Sequence, residues 1–329
     1  MAKKMTLKEQ YLQELTNRAE GLGLDVSLVA VVDKEYRKWL ADRRLHKHIN
    51  AAVAIEPDDH IGYMARAMVQ ATLPHSKPKS NEFKRVNGNY KLSMIAPSDI
   101  GLPYGIIPRL LLAWLTTEAV RTQSREIVLG DSLADFMRQL GMEPTGGRRG
   151  SITQLRDQCI RLFSTLISAT YSDGGQMSMR NANIAESADL YWWDADPKQV
   201  GLWRSVVTLS SSFFNEITSR PIPISMDVIK HIKKSPLALD IYFWLTYRVA
   251  HLQSNTLIPW PTVAMFVGSG YGRIDDFRDA FEMTLKKVML YYSGVSVVCT
   301  DDGLVLGPSK THITRKAAAK KLKLSTKPL

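Results

Sequence analysis

The sequence predicts an α+β protein built from two tandem winged-helix units (helix-turn-helix plus β-wing), preceded by a mostly helical extension. Three observations predict it. Part of the chain repeats itself, both copies run through the same order of helix, short strand and helix-turn-helix, and each copy closes on strands with turn residues between them. The expected boundaries are 1–90 for the extension, 91–218 and 219–310 for the two units, and 311–329 for a basic tail. A length of 329 residues agrees with two domains at roughly 150 residues each.

The extension comes first. Helical periodicity is expected around Leu7–Leu22, Val26–Trp39 and His60–Leu73, and Leu73–Asn81 reads as a linker from its Pro, Lys and Ser content. The repeat then begins. Placing Trp114-Leu115-Thr116 on Trp244-Leu245-Thr246 also places, without a gap, Leu111 on Ile241, Ile127 on Leu257, Leu133 on Val263 and Phe136 on Phe266. After a shortening in the second copy, Gly150 falls on Gly272, Ile152 on Ile274 and Leu155-Arg156 on Phe277-Arg278.

Each copy opens with an apolar helix, Ile106–Arg121 and Pro236–Leu252. Short strands follow, Arg125–Leu129 and Thr256–Trp260. Second helices are expected at Leu133–Leu140, capped by Asp131 or Ser132, and at Val263–Val267, opened by Pro261 or Thr262. Polar glycine turns lead into third helices, Ser151–Ser168 and Arg273–Tyr291. The second copy closes on a clear hairpin, Val295–Cys299 and Leu304–Leu306 around Asp301-Asp302-Gly303. The first copy implies a long wing: a strand near Ile167–Tyr171, a polar excursion over 173–188, and return strands near Asp189–Trp193 and Leu202–Leu209.

The formal net charge of +11 favours a polyanionic partner, nucleic acid before an anionic membrane surface. No apolar run approaches the roughly 18 residues of a membrane helix, and the lysines at the start have no apolar stretch behind them. A cytoplasmic protein with no membrane partner is expected. Cys159 and Cys299, the two cysteines, sit in apolar segments and read as core fillers in a reducing compartment. No metal or other cofactor is implied.

A helix that enters the major groove needs a polar start, basic flanks and an apolar back that seats it. Ser151–Ser168 meets this, with Ile152, Leu155, Cys159, Leu162, Phe163 and Leu166 as its buried face. Gly146, Gly147 and Gly150 allow close backbone approach to a phosphate. Arg148, Arg149, Ser151, Thr153, Gln154, Arg156 and Arg161 are left to face DNA. In the second copy Arg273, Arg278, Lys286 and Lys287 are the candidates, over a buried face of Ile274, Phe277, Phe281, Leu285 and Val288. Asp275 and Asp276 oppose phosphate there. Arg180 in the long wing and Lys310, Arg315, Lys316, Lys320 and Lys321 would add salt-sensitive attraction. The aromatics Trp192, Trp193, Trp203, Phe213, Phe214, Trp244 and Trp260 read as core rather than as a stacking platform for single strands.

On the segments Tyr104–Ala119, Leu129–Leu133, Pro144–Arg148, Gly150–Thr153 and Ser235–Arg248, the sequence resembles the plasmid-encoded RepA replication initiators of broad-host-range plasmids. The resemblance extends roughly over 90–313. It implies a protein that binds double-stranded DNA at directly repeated origin sites (iterons), helps open adjacent AT-rich DNA and recruits host replication proteins such as a helicase or initiator. It further implies monomers on iterons and homodimers on the protein's own promoter. The segments Gly146–Arg161 and Arg273–Lys287 are those it would assign to DNA.

Three other readings stay open, one of them a pure interaction or structural protein, which the basic turns disfavour. A transcriptional regulator of the same fold would also read duplex DNA. A metal-dependent nicking initiator would draw on His46-Lys47-His48 and the Tyr291-Tyr292 pair, but a lysine stands where such a motif needs an apolar residue. With no G-x-x-x-x-G-K-[ST] run, a P-loop ATPase is disfavoured, and a non-enzymatic role is expected.

Overall fold

The computed structural model describes residues 60–173, 176–190, 205–268, 270–292, 294–314 and 317–318. Among them are nine helices and twelve strands in four small sheets, a mixed α+β architecture. The chain order is β1 (Ile61–Met64), α1 (Arg66–Gln70), β2 (Glu82–Asn87), β3 (Tyr90–Ile95), α2 (Ile106–Thr122), β4 (Glu126–Val128), α3 (Leu133–Gln139) and α4 (Ser151–Ser164). Then come β5 (Leu166–Asp173), β6 (Gln176–Asn183), β7 (Ala185–Asp189), β8 (Val206–Leu209), α5 (Ser211–Ser219), β9 (Ile222–Ser225) and α6 (Met226–Ile232). The second repeat is α7 (Pro236–Val249), β10 (Thr256–Pro259), α8 (Trp260–Phe266), α9 (Ile274–Tyr291), β11 (Val297–Cys299) and β12 (Gly303–Leu306).

The two copies share a strand order as well as an element order. In the first, the sheet runs β4-β8-β7; in the second, β10-β12-β11, all antiparallel. The strand between the first two helices thus pairs with the last strand of its copy, which also holds the strand before it. Packing repeats too. The Trp114 ring meets Phe136 edge-on with centroids 5.0 Å apart, and Trp244 meets Phe266 at the same separation. Helices α2 and α7 are apolar nearly all round, so they are buried nearly all round and form the centre of each copy.

One detail of the repeat differs from the sequence alignment. Ile127 is buried and pairs with Val207, whereas Leu257 is half exposed and Ile258 is the residue that faces inward, opposite Leu304. A strand has a period of two, so the structural partner of Ile127 is Ile258.

The expected long wing is corrected. β5 and β6 do not form it; they join β2 and β3 in a four-stranded sheet ordered β2-β3-β5-β6. The six-residue register between β3 and β5 runs from Tyr90↔Tyr171 to Ile95↔Leu166 and brings Leu92, Met94 and Ile167 onto one buried face. That apolar face captures the strand. The hairpin in the wing position is β7–β8, and residues 191–204 between those strands, with Trp192, Trp193 and Trp203, lie outside the described residues.

The helical extension is corrected over its described part. Instead of a helix over His60–Leu73, β1 pairs antiparallel with β9 and only the five residues of α1 are helical. The helices expected before residue 60 lie outside the described residues. The linker is tied down rather than free. Buried Arg109 on α2 donates to the carbonyls of Leu73, Pro74 and Gly105 and forms a bidentate pair with Asp240 on α7. His75 donates from Nε2 to the same carboxylate at 2.8 Å, because a carboxylate oxygen can only accept. The two repeats are joined through these groups.

The expected tail also begins with packed residues. Ile313 and Ala318 are buried against Tyr63 and Val120. The Tyr242 hydroxyl accepts the Ser225 amide and bonds His312 Nδ1 at 2.9 Å.

Candidate nucleic-acid interface

The glycine turn before α4 is held by its own short side chains. The Ser151 amide donates to the Thr145 hydroxyl, the Thr145 amide donates to the Ser151 hydroxyl, and Ser151 Oγ donates to the Glu143 carbonyl at 2.6 Å. Thr153 Oγ1 then donates to the Gly147 carbonyl and Gln154 Nε2 to the Arg149 carbonyl. Gly147 has φ +88°, open to glycine and strained for other residues. A Cβ at Gly150 would lie 2.3 Å from the carbonyl oxygens of Thr145 and Gly146.

This geometry sorts the predicted residues. Gly146, Gly147, Arg148 and Arg149 form an exposed turn, and neither guanidinium has a hydrogen bond or ion pair among the described residues. Thr153 and Gln154 are exposed on the first turn of α4 but already bonded to the loop. Ser151 is a structural fastener of that turn, since its hydroxyl is committed on both sides. Arg156 is half-buried. Arg161 is not presented to solvent: its side chain is 12% exposed, its Nε donates to Asp157 at 2.8 Å, and its guanidinium lies 5.6 Å from the centre of the Tyr104 ring.

The buried face of α4 contains Leu155, Cys159 and Leu162, with Ile152 and Phe163 half-buried. Leu166 does not belong to it. The helix ends at Ser164, and Leu166 lies on β5, half exposed. Arg180 is placed on β6, opposite Ala169, in the four-stranded sheet rather than on a wing.

In the second repeat Phe277, Phe281, Leu285 and Val288 seat α9, while Ile274 is 42% exposed instead of buried. Ile274 is the first residue of the helix, before its inward face meets the core. Lys286 and Lys287 are exposed on the outer face. Arg273 is exposed and pairs with Asp275 at 3.4 Å, and Arg278 approaches Asp301 at 3.9 Å. The cations of this copy are therefore partly neutralised, in contrast to the unpaired Arg148-Arg149 turn. Lys310 is described and exposed, whereas Arg315, Lys316, Lys320 and Lys321 lie outside the described residues.

Of the nicking candidates, His46 and His48 lie outside the described residues. Tyr292 is buried: its hydroxyl donates to the Lys310 carbonyl and accepts the His312 amide, and burial raises its pKa. No helix among the described residues is long and apolar enough to cross a membrane.

Helices α4 and α9 each have an apolar back, a polar outer face and basic residues. Residues 102–260 match the family described as plasmid encoded RepA protein. The chain is also similar to two solved structures. One is the crystal structure of RctB domains 2-3, with a TM-score of 0.48 and 13% identity, covering 73% of this chain and 94% of that one. The other contains domains 2 and 3 of RctB as a selenomethionine derivative, with a TM-score of 0.48 and 12% identity over 75% and 99% of the two chains. Among curated proteins no significant match is found.

The sequence reading missed the buried Arg109–Asp240 pair. Its signal was present: one charged residue stands inside each of the apolar stretches Ile106–Thr117 and Pro236–Tyr247, at nearly equivalent places in the repeat.

Proposed function

We propose that this protein is a plasmid replication initiator that binds duplex DNA at repeated origin sites through two winged-helix domains, expected at 91–218 and 219–310. The family match over 102–260 carries this reading, because it includes all of α2, α3 and α4 and the turn that presents Arg148 and Arg149. The shared order of helix, strand, helix, helix and paired strands supports the winged-helix assignment.

In this reading α4 enters a major groove behind its glycine turn, and α9 makes shallower contacts because Asp275 and Asp276 stand at its start. The protein acts in the cytoplasm without enzymatic activity or cofactor. It opens neighbouring AT-rich DNA with host replication proteins and pairs with a second copy when it represses its own promoter. Footprinting on the DNA flanking the coding region tests this. Protection of several direct repeats beside an AT-rich segment is expected. Protection of a single inverted repeat would favour a transcriptional regulator, and metal-dependent cleavage of supercoiled origin DNA would overturn the non-enzymatic assignment.

A further inference from the structure

Away from α4 and α9, a cleft of about 570 Å³ opens between the end of α2, the α5–β9 turn and the end of α7. Its size is within the usual range for small-molecule sites, a few hundred to about 1,000 Å³. Among the described residues the lining includes Arg66 and Arg220 and no carboxylate. Neither guanidinium has a hydrogen bond or ion pair among the described residues, so neither is committed to a neighbouring acid or to the carbonyls at the helix ends.

Two unpaired guanidinium groups facing one concave space favour an anion, and their planar forks match phosphate oxygens. Tyr247 adds a donor: its hydroxyl accepts Gln70 Nε2 at 2.9 Å, and its own proton has no acceptor among the described residues. The rings of Tyr247 and His251 stand beside each other on the wall with centroids 4.9 Å apart. His251 Nδ1 donates to the Tyr247 carbonyl at 2.9 Å, which fixes the ring orientation and leaves Nε2 for a ligand. An aromatic wall beside a cationic floor suits a flat heterocycle that carries phosphate.

We propose that this cleft binds a small phosphate-bearing molecule of nucleotide size, with Arg66 and Arg220 holding phosphate and Tyr247 with His251 bordering the ring. Since α2 belongs to the first repeat and α7 to the second, the ligand would touch both copies, at the opposite ends of these helices from the Arg109–Asp240 pair. This site is separate from the DNA-facing turn and does not depend on the initiator reading.

The test is calorimetric titration of the full chain with ATP, AMP, adenosine and inorganic phosphate, beside a short single-stranded oligonucleotide. Saturable binding of ATP or AMP is expected, with phosphate alone weaker and adenosine weaker still. Arg220→Ala, on an exposed turn, and Arg66→Gln should each weaken nucleotide binding about tenfold, the loss of one charge-assisted contact. Circular dichroism and melting of both variants should match the parent, and Arg148→Ala should bind nucleotide normally. Inorganic phosphate binding as tightly as AMP would identify a plain anion site and overturn the nucleotide assignment. Binding by the oligonucleotide alone would make the cleft part of a nucleic-acid surface, and no saturable binding, or binding indifferent to both arginine variants, would reject the site.

Discussion

Arg109 and Asp240 form a buried bidentate pair between the central helices of the two repeats, both contacts 2.7 Å. The remaining guanidinium donors go to the Leu73, Pro74 and Gly105 carbonyls, so the arginine is saturated. Removing one partner leaves the other charged, buried and unpaired, which typically costs about 3–5 kcal/mol. Arg109→Met and Asp240→Leu are each expected to destabilise by that order in urea unfolding. The double variant should recover part of the loss, because it removes both charges. Equal losses in single and double variants would mean that the three carbonyls, not the ion pair, carry the contribution.

Acid sensitivity follows from the same cluster. Burial lowers the His75 pKa from its ordinary 6.5, and its bond to Asp240 offsets this only in part. Burial alone would raise Asp240 above its ordinary 3.8, but the charge and hydrogen bonds of Arg109, with His75, hold it below. Arg85, pushed down to about 10 by burial, also faces this carboxylate. Both acid-side shifts favour the deprotonated forms in the folded protein. The unfolded chain therefore binds more protons on acidification, and stability falls as pH drops below 6.5, then again below 3.8. Unfolding in urea between pH 8 and 5 checks the first step. His75→Gln should flatten that part of the profile relative to the parent; identical profiles would exclude His75 as its source.

The exposed turn before α4 separates binding from folding. Arg148→Ala and Arg149→Ala remove cations with no internal partner, so unfolding midpoints should stay near the parent value. Duplex affinity should fall, and each lost phosphate contact should reduce the slope of log affinity against log salt by about 0.9. Gly150→Ala is the structural counterpart. Its Cβ would press on two carbonyls, so it should lower stability and affinity together. Mobility shifts over a salt series, with parallel melting curves, distinguish these outcomes.

The legible parts of the molecule were those governed by local pattern. Trp114 and Trp244 announced the repeat because each begins an identical tripeptide within an apolar helix, and of the two expected caps of α3 it is Ser132 whose hydroxyl accepts the Asp135 amide. What could not be read depended on distant partners. β5 follows α4 as a wing strand would, yet β3, seventy residues earlier in the chain by rough count, supplies a better apolar face. Arg161 carries the same charge as Arg148, but Asp157 and Tyr104 draw it inward, and spacing alone does not distinguish an arginine on the rim of a helix from one at its crest. The one-residue slip between Ile127 and Leu257 arose because a gapless alignment cannot detect a longer connection before the second strand.

The start of the C-terminal region gives a final contrast. Its lysines and arginines suggested a solvated tail, but Ile313 is 1% exposed and packs with Tyr63, Val120 and Ala318. It anchors a segment that leaves the second repeat, bonds Tyr242 through His312, and meets residues of β1 and α2. Truncating a buried isoleucine to alanine usually costs about 2–5 kcal/mol, more where the surroundings cannot relax. Ile313→Ala is expected within that range. Cutting the chain after Lys310 should cost at least as much, since it also removes the His312 bond and exposes Val120. Urea unfolding of both variants measures this directly. A loose tail predicts no change in midpoint for either one, so a shift in both would establish the segment as part of the folded core.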